Sequence, residues 1–367
     1  MGWFRTCGIA LLAAVAALAL GAAPSAALTE FEELVTGAGS VSLAGTLALP
    51  SDAGRAKLPA VLLIQGSGPT DRNGNQRPNI ATDLEKQLAE ALARVGIASL
   101  RLDKRGMHAN AADMPKDLAA ATAFFTWDNT VEDAIAAWRW LEARPDIDSG
   151  RIAIFGHSEG GLAALVAAER LAQRGRAPAA LVLAATPGRP LGDVIDDQLR
   201  QLLKRQGASS RVAATVLAAN DGILAWIRKT GEVPARVPNE LRALYPPYIG
   251  PFLAPLLRLD PAELAKRYAG PVLVVQGAED IQISAERDAG ALDAALGERP
   301  KDDHETIVAP SVSHNLKPVA RPDEPGFWGS IAPAVLDPLV AWLAAKLEAA
   351  ARRDRTSVSC GGAKARH

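Results

Sequence analysis

Short apolar runs alternate with stretches of helical period along most of this chain. Val41–Leu49, Leu58–Gln65, Ile97–Leu102, Ile152–Phe155, Ala180–Ala184, Val272–Val275 and Glu305–Val308 have the length and apolar content of strands. Between them, Thr82–Val95 repeats Leu84, Leu88, Leu92 and Val95 on one face, and Asp128–Arg144 repeats Val131, Ile135, Trp138 and Leu141. Gly160–Arg174, with Leu162, Leu165, Val166 and Leu171, has the same period, and helices are also predicted at Ala285–Leu296 and Ile331–Leu347. Continuously apolar strands separated by amphipathic helices need cover on both faces, so the pattern predicts an α/β fold with a doubly wound, mainly parallel sheet.

Two stretches depart from this alternation. From His108 to about Phe125 the chain is polar and Ala-rich and reads as a loop. Residues 186–268 show no strand pattern; helical stretches around Val194–Arg205 and Val212–Arg228 lead into Pro-rich Pro234–Pro255. All three tyrosines, Tyr245, Tyr248 and Tyr268, lie here with Trp226 and Phe252. A long insertion between core strands with no sheet of its own predicts an inserted helical lid. Trp226, Tyr245, Tyr248 and Phe252 are its candidate substrate-binding residues, as the walls of an apolar pocket.

The ends carry different signals. Arg5, the apolar stretch Ile9–Leu20 and the small residues Ser25-Ala26-Ala27 form a secretory leader pattern cut after Ala27. The run is short for a bilayer span, so export to the periplasm or medium, without a membrane anchor after cleavage, is the expectation. Arg352–His367 is basic and lacks apolar period, which predicts disorder. The expected organisation is a signal peptide (1–27), a core in two parts (28–185 and 269–350), the lid (186–268) and a disordered tail (351–367).

At 49% hydrophobic and 22% charged residues, the composition is that of a soluble enzyme. A net charge of −1 gives no support for a nucleic-acid or anionic-membrane partner. Of two cysteines only Cys360 would survive cleavage, so no internal disulfide can form. Scattered histidines, without His-Glu-x-x-His or a cysteine pair, indicate no metal site, and no cofactor is implied.

Candidate chemistry centres on Gly156-His157-Ser158-Glu159-Gly160, placed where an apolar run turns into a helix. A serine on such a tight strand-to-helix turn presents its hydroxyl as a nucleophile, and the flanking glycines let strand and helix approach. The serine needs a base, and the base needs a carboxylate to hold its tautomer. His314, in Ser311-Val312-Ser313-His314-Asn315 after the last short strand, falls at the carboxyl edge of the sheet and is the candidate base. His157 should point into the core. Asp280, in the turn after Val272–Val275, is the candidate acid, with Glu279 beside it as the alternative. Asp302 and Asp303 precede the strand leading to His314 and are less suited. The order Ser158, Asp280, His314 is that of an α/β-hydrolase. Backbone N–H groups of Glu159 and of Ser67, in Gln65-Gly66-Ser67-Gly68-Pro69, are candidate oxyanion donors. Asp71, Arg72, Asp103 and Arg105 are expected to brace these loops as ion pairs.

From Val41 to about Leu347 the chain resembles the α/β-hydrolase superfamily, in particular bacterial serine esterases and the serine-aminopeptidase-like group. Leu43-Ala44-Gly45-Thr46-Leu47 resembles their N-terminal hairpin, and Gly66-Ser67-Gly68-Pro69 with Asp71-Arg72 their oxyanion segment. Asp103-Lys104-Arg105-Gly106, Gly156–Gly161 and Gly277-Ala278-Glu279-Asp280 with Gln282 match their strand-end, elbow and acid-loop motifs. Gln65 departs from the His-Gly oxyanion motif common among them. The expected activity is hydrolysis of small-molecule carboxylic esters through an acyl-enzyme on Ser158. A peptidase or amidase with the same triad is the first alternative, for which an acidic patch in the pocket would speak. A non-catalytic binding protein of this fold is the second.

Overall fold

The structure, a computed structural model, describes residues 28–51, 54, 56–300 and 303–361. The leader with its cleavage point, Asp302 and the end of the tail (362–367) lie outside the described residues. Eight strands form one sheet: β1 (Leu28–Thr36), β2 (Ser42–Pro50), β3 (Leu58–Ile64), β4 (Ala98–Leu102), β5 (Ile147–His157), β6 (Leu181–Ala184), β7 (Val272–Gly277) and β8 (His304–Ala309). Their order across the sheet is β1-β2-β4-β3-β5-β6-β7-β8. Only β2 runs against its neighbours, pairing antiparallel with β1 and β4; every other pairing is parallel.

Apolar runs are continuous because both faces of the sheet are buried. In β5, Ile152 and Ile154 enter one core while Ala153 and Phe155 enter the other; in β7, Val272 and Val274 part from Leu273 and Val275 in the same way. Helices α3 (Trp127–Ala143) and α4 (Glu159–Gln173) cover the first face with Val131, Trp138, Leu162 and Leu165. Helices α1 (Leu84–Arg94) and α10 (Pro333–Gly361) cover the second with Leu88, Leu92, Leu339 and Leu343.

Between β6 and β7 the chain forms α5 (Leu191–Arg205), α6 (Ser210–Thr230), α7 (Gly250–Leu256) and α8 (Pro261–Arg267), with no strand among them, and α9 (Gly290–Gly297) lies between β7 and β8. Leu199, Leu203, Ile223, Ile227, Leu241, Tyr245 and Leu253 make a separate core for this insertion. Arg189 ties its entry to the far side of the acid loop, reaching the fully buried Asp288 at 2.9 Å and Asp197 at 2.9 Å.

Several elements differ from the pattern-based expectation. β1 is an edge strand whose nine positions bury only Val35, and its apolar residues Leu28, Phe31, Leu34 and Val35 fall without the alternation of a half-buried strand. The Ala-rich loop contains α2 (Leu118–Phe124), capped where the Asp117 carboxylate accepts from the Ala120 amide at 2.9 Å. In the Pro-rich stretch, Pro251 sits in the first turn of α7, where its fixed φ suits a helix and its missing N–H costs nothing. α10 runs to Gly361, beyond residue 351 where the tail is expected to begin, and residues 362–367 of that tail lie outside the described residues.

Phe155 is fully buried, whereas Phe31 on β1 is 44% exposed. Urea titration should show Phe155→Ala losing about 3–5 kcal/mol and Phe31→Ala less than about 1 kcal/mol.

Candidate active site

The site begins where β5 meets α4. Ser158 occupies φ 54°, ψ −121°, a region costing a non-glycine residue about 1–3 kcal/mol. The surrounding backbone leaves no other path. A Cβ on Gly156 would lie 2.3 Å from the Gly160 carbonyl oxygen, and one on Gly160 would lie 2.3 Å from that of Ile64 on β3. The Ser158 amide donates to the Ala184 carbonyl at 2.8 Å, which locks the turn to the end of β6.

The structure brings Asp280 and His314 together. One Asp280 oxygen lies 2.7 Å from His314 Nδ1 and accepts from Gln276 Nε2 at 2.7 Å, while the other accepts the Gln282 and Ile283 amides at 2.7 and 2.9 Å. Burial alone would raise its pKa; the charge and hydrogen bond of His314, with those two amides, outweigh burial and hold it below the usual carboxylate range. Because the carboxylate only accepts, Nδ1 carries a proton, which leaves Nε2 as the acceptor whenever the ring is neutral. Glu279 makes no such contact with His314; its amide donates to the Val312 carbonyl. Asp303 pairs instead with Lys346 at 2.8 Å.

His157 is buried as expected, yet it also serves the site. Burial and the neighbouring His314 push its pKa down to about 3, so it is neutral, and its Nε2–H donates to the His314 carbonyl at 2.9 Å. Its ring lies 4.8 Å from that of His314, centroid to centroid. This anchoring, and the support Gln276 gives Asp280, went unrecognised in the sequence. The signal available was adjacency alone, a polar residue next to the elbow and another at the end of β7.

Glu159 opens α4, and Ser67 lies in the loop after β3; both line one cavity. The loop holding Ser67 packs on the elbow, since a Cβ on Gly66 would sit 3.0 Å from His157 Nδ1 and 3.3 Å from Ser158 Cβ. Side chains hold the loop by its carbonyls: Lys104 donates to those of Gly66 (2.6 Å) and Gly68 (3.1 Å), and Thr70 and Gln76 to that of Ser67. Gln65 ties it to the end of β4, donating to the Leu102 carbonyl at 2.8 Å. Arg72 bridges Asp103 (2.8 Å) and Glu32 (2.6 Å), and Arg105 pairs with Asp133 (2.7 Å). Asp71 makes no ion pair; it accepts the amides of Asn73 and Asn75.

Two cavities meet at Ser67 and Gly68. One, of about 590 Å³, is lined by Ser158, His157, His314, Gln282 and Glu85. The other, of about 600 Å³, is mainly apolar and is lined by Glu159, Leu102, Met107, Phe125, Tyr248 and Phe252. Tyr248 packs on Phe125 with ring centroids 5.5 Å apart, and Phe252 meets Trp127 edge-on at 5.6 Å. The other two aromatics expected in this wall lie elsewhere. Trp226 is 49% exposed, and Tyr245 is buried in the insertion's own core, where its hydroxyl donates to Asn220 at 2.5 Å. Helical period alone did not reveal which face of α6 turns outward. Among the described residues no group of three His, Cys, Asp or Glu could hold a metal ion.

Residues 89–181, which include Ser158, match the prolyl oligopeptidase family. Esterase EstD of Thermotoga maritima is 31% identical over 242 residues, 66% of this chain and 51% of that protein. The chain is similar to these proteins and has the α/β-hydrolase fold. It spans about half the length of that curated relative. Among solved structures, Est1E from Butyrivibrio proteoclasticus superposes with a TM-score of 0.51 at 16% identity, covering 88% of this chain and 99% of that one. A puromycin-hydrolysing peptidase of Mycobacterium tuberculosis gives 0.51 at 19% identity, covering 88% and 40%. At these identities the likeness is one of α/β-hydrolase fold.

Gly160→Ala should cost at least about 1–3 kcal/mol, because its methyl meets backbone that cannot yield. Gly222→Ala, inside α6 with nothing within 4 Å of the added carbon, should instead stabilise by about 0.5–1 kcal/mol. Paired denaturant titrations of the two variants check both signs.

Proposed function

We propose that this α/β-hydrolase is an exported serine hydrolase that cleaves carboxylic esters through an acyl-enzyme on Ser158. The observation that carries this reading is the meeting of a strained serine with a carboxylate-bound histidine in one cavity. His314 Nε2 takes the Ser158 proton as the hydroxyl attacks the ester carbonyl. Asp280 stabilises the imidazolium that results, and the imidazolium returns the proton to the leaving alcohol. The negative oxygen of the tetrahedral intermediate is met by the amides of Glu159 and Ser67. The first belongs to the opening turn of α4, whose N–H groups have no partner within the helix. Water then repeats the sequence to release the acid.

The apolar cavity beside Ser67 and Glu159 suits the acyl chain, and the insertion acts as a lid by supplying Tyr248 and Phe252 to its wall. An amidase or peptidase reading draws support from the family match across Ser158. It differs only in the proton His314 must deliver to a poorer leaving group. Export rests on the leader pattern; no helix among the described residues is long and apolar enough to cross a membrane.

Ser158→Ala should abolish fluorophosphonate labelling and lower kcat by on the order of 10⁴-fold or more with the fold intact by circular dichroism. Asp280→Asn should also cut kcat severely at nearly constant KM, and Glu279→Gln far less; the reverse ranking would move the acid to Glu279. If the apolar cavity holds the acyl chain, Phe252→Ala should alter the kcat/KM ratio between acetyl and decanoyl esters by about 1–3 kcal/mol. Trp226→Ala should leave that ratio unchanged.

A further inference from the structure

The stretch Asp103-Lys104-Arg105-Gly106 sets three charged side chains at the end of β4, and two of them brace loops: Asp103 holds Arg72, and Arg105 holds Asp133. Lys104 turns to the site instead. Its ammonium donates to the carbonyls of Gly66 at 2.6 Å and Gly68 at 3.1 Å, and stands 3.6 Å from a carboxylate oxygen of Glu159. It therefore reaches both segments that carry the proposed oxyanion amides, the loop after β3 and the first turn of α4. Its own backbone is tied, since the Lys104 carbonyl accepts from the Met107 amide at 3.1 Å and from Asn110 Nδ2 at 3.2 Å.

The bond to Gly66 fixes a direction. The Gly66–Ser67 peptide is trans, so it is planar with its carbonyl and its N–H on opposite edges. A donor that holds the Gly66 oxygen on one side points the Ser67 N–H to the other. That N–H has no acceptor among the described residues, and Ser67 lines both cavities. Glycine at 66 leaves this plane free to turn, because no side chain restricts it. The next plane, Ser67–Gly68, is held through the Ser67 carbonyl by Thr70 Oγ1 at 2.8 Å and Gln76 Nε2 at 3.0 Å, both neutral donors. Of these two N–H-bearing planes, only the one that aims the Ser67 amide is held by a charge. A charged donor on the carbonyl also polarises the peptide, so that its N–H donates more strongly.

We propose that Lys104 is the positioning residue of the oxyanion hole, aiming the Ser67 N–H through the Gly66 carbonyl. The proposal rests on the acyl-enzyme reading of Ser158. As Ser158 Oγ bonds to the ester carbonyl carbon, the π pair of the C=O bond moves to its oxygen and the hydroxyl proton passes to His314 Nε2. The Ser67 N–H meets that oxygen once it is negative, so Lys104 serves the transition state and not the bound ester.

Butyl trifluoromethyl ketone adds Ser158 Oγ and then carries this negative oxygen; the alcohol made by reducing the ketone fills the same space without it. Inhibition constants for the pair, with kcat and KM on p-nitrophenyl butyrate, are compared across three proteins. These are the wild type, Lys104→Met, and Lys104→Cys before and after alkylation with bromoethylamine, which restores an ammonium of nearly lysine length. Lys104→Met should lower kcat/KM through kcat by on the order of 10- to 100-fold, short of outright loss of an oxyanion donor. The ketone should weaken by the same factor and the alcohol by less than about twofold. Alkylation of Lys104→Cys should recover most of the lost ketone affinity. An active wild type whose Lys104→Met variant keeps kcat/KM and ketone affinity within about twofold overturns this proposal alone. Parallel weakening of ketone and alcohol, or a rise in KM with kcat unchanged, makes Lys104 a substrate contact and also overturns it, as does a deficit that alkylation leaves in place. A wild type that neither hydrolyses esters nor takes the fluorophosphonate label removes the Ser158 reading and this one together. Should Lys104→Met fail to fold by circular dichroism, Lys104→Cys before and after alkylation decides by the same ketone-to-alcohol ratio.

Discussion

Everything at the candidate site depends on how closely three stretches of backbone approach one another around the elbow. Gly156 lies against Gly160, and Gly160 lies against the end of β3, with no room for a side-chain carbon at either contact. That crossing forces Ser158 into its positive-φ conformation and sets the start of α4 beside the loop that follows β3. A nucleophile on a strained turn stays put only if the surroundings over-determine it. Here the surroundings are the parallel sheet itself, through the Ser158 amide and the carbonyl of Ala184.

The same economy of placement governs the acid and the base. Both stand on loops, and loops hold geometry only when their polar groups are tied. Two backbone amides and Gln276 hold Asp280, and His157 holds His314 through its carbonyl. His157 can do this because burial keeps it neutral; a second positive charge beside His314 would oppose the imidazolium that catalysis requires. A residue next to the nucleophile thus positions the base 157 residues later in the chain.

The helical insertion joins the main core through α7 and α8, with Leu256, Leu264, Ala265 and Tyr268 buried there, and its contacts shape the site. α7 and the turn before it bring Phe252 and Tyr248 onto Trp127 and Phe125, and Arg189 fastens the entry of the insertion to Asp288 behind the acid loop. Apolar space therefore lies on one side of Ser67 and polar space, with Glu85, on the other.

The local pattern of the chain was enough to reveal the parallel sheet, its covering helices, the elbow, and the loops that present Asp280 and His314. These features depend on short-range periodicity and on glycines at fixed offsets, which neighbouring residues encode. β1 was not legible because an exposed edge strand need not alternate apolar with polar residues, and α7 was hidden because proline in a first helical turn looks like proline in a loop. The roles of His157 and Gln65 and the removal of Tyr245 to the insertion's core were decided by tertiary structure alone. Each depends on which distant segment lies opposite a side chain, and that is determined only when the sheet and its insertion close around one another.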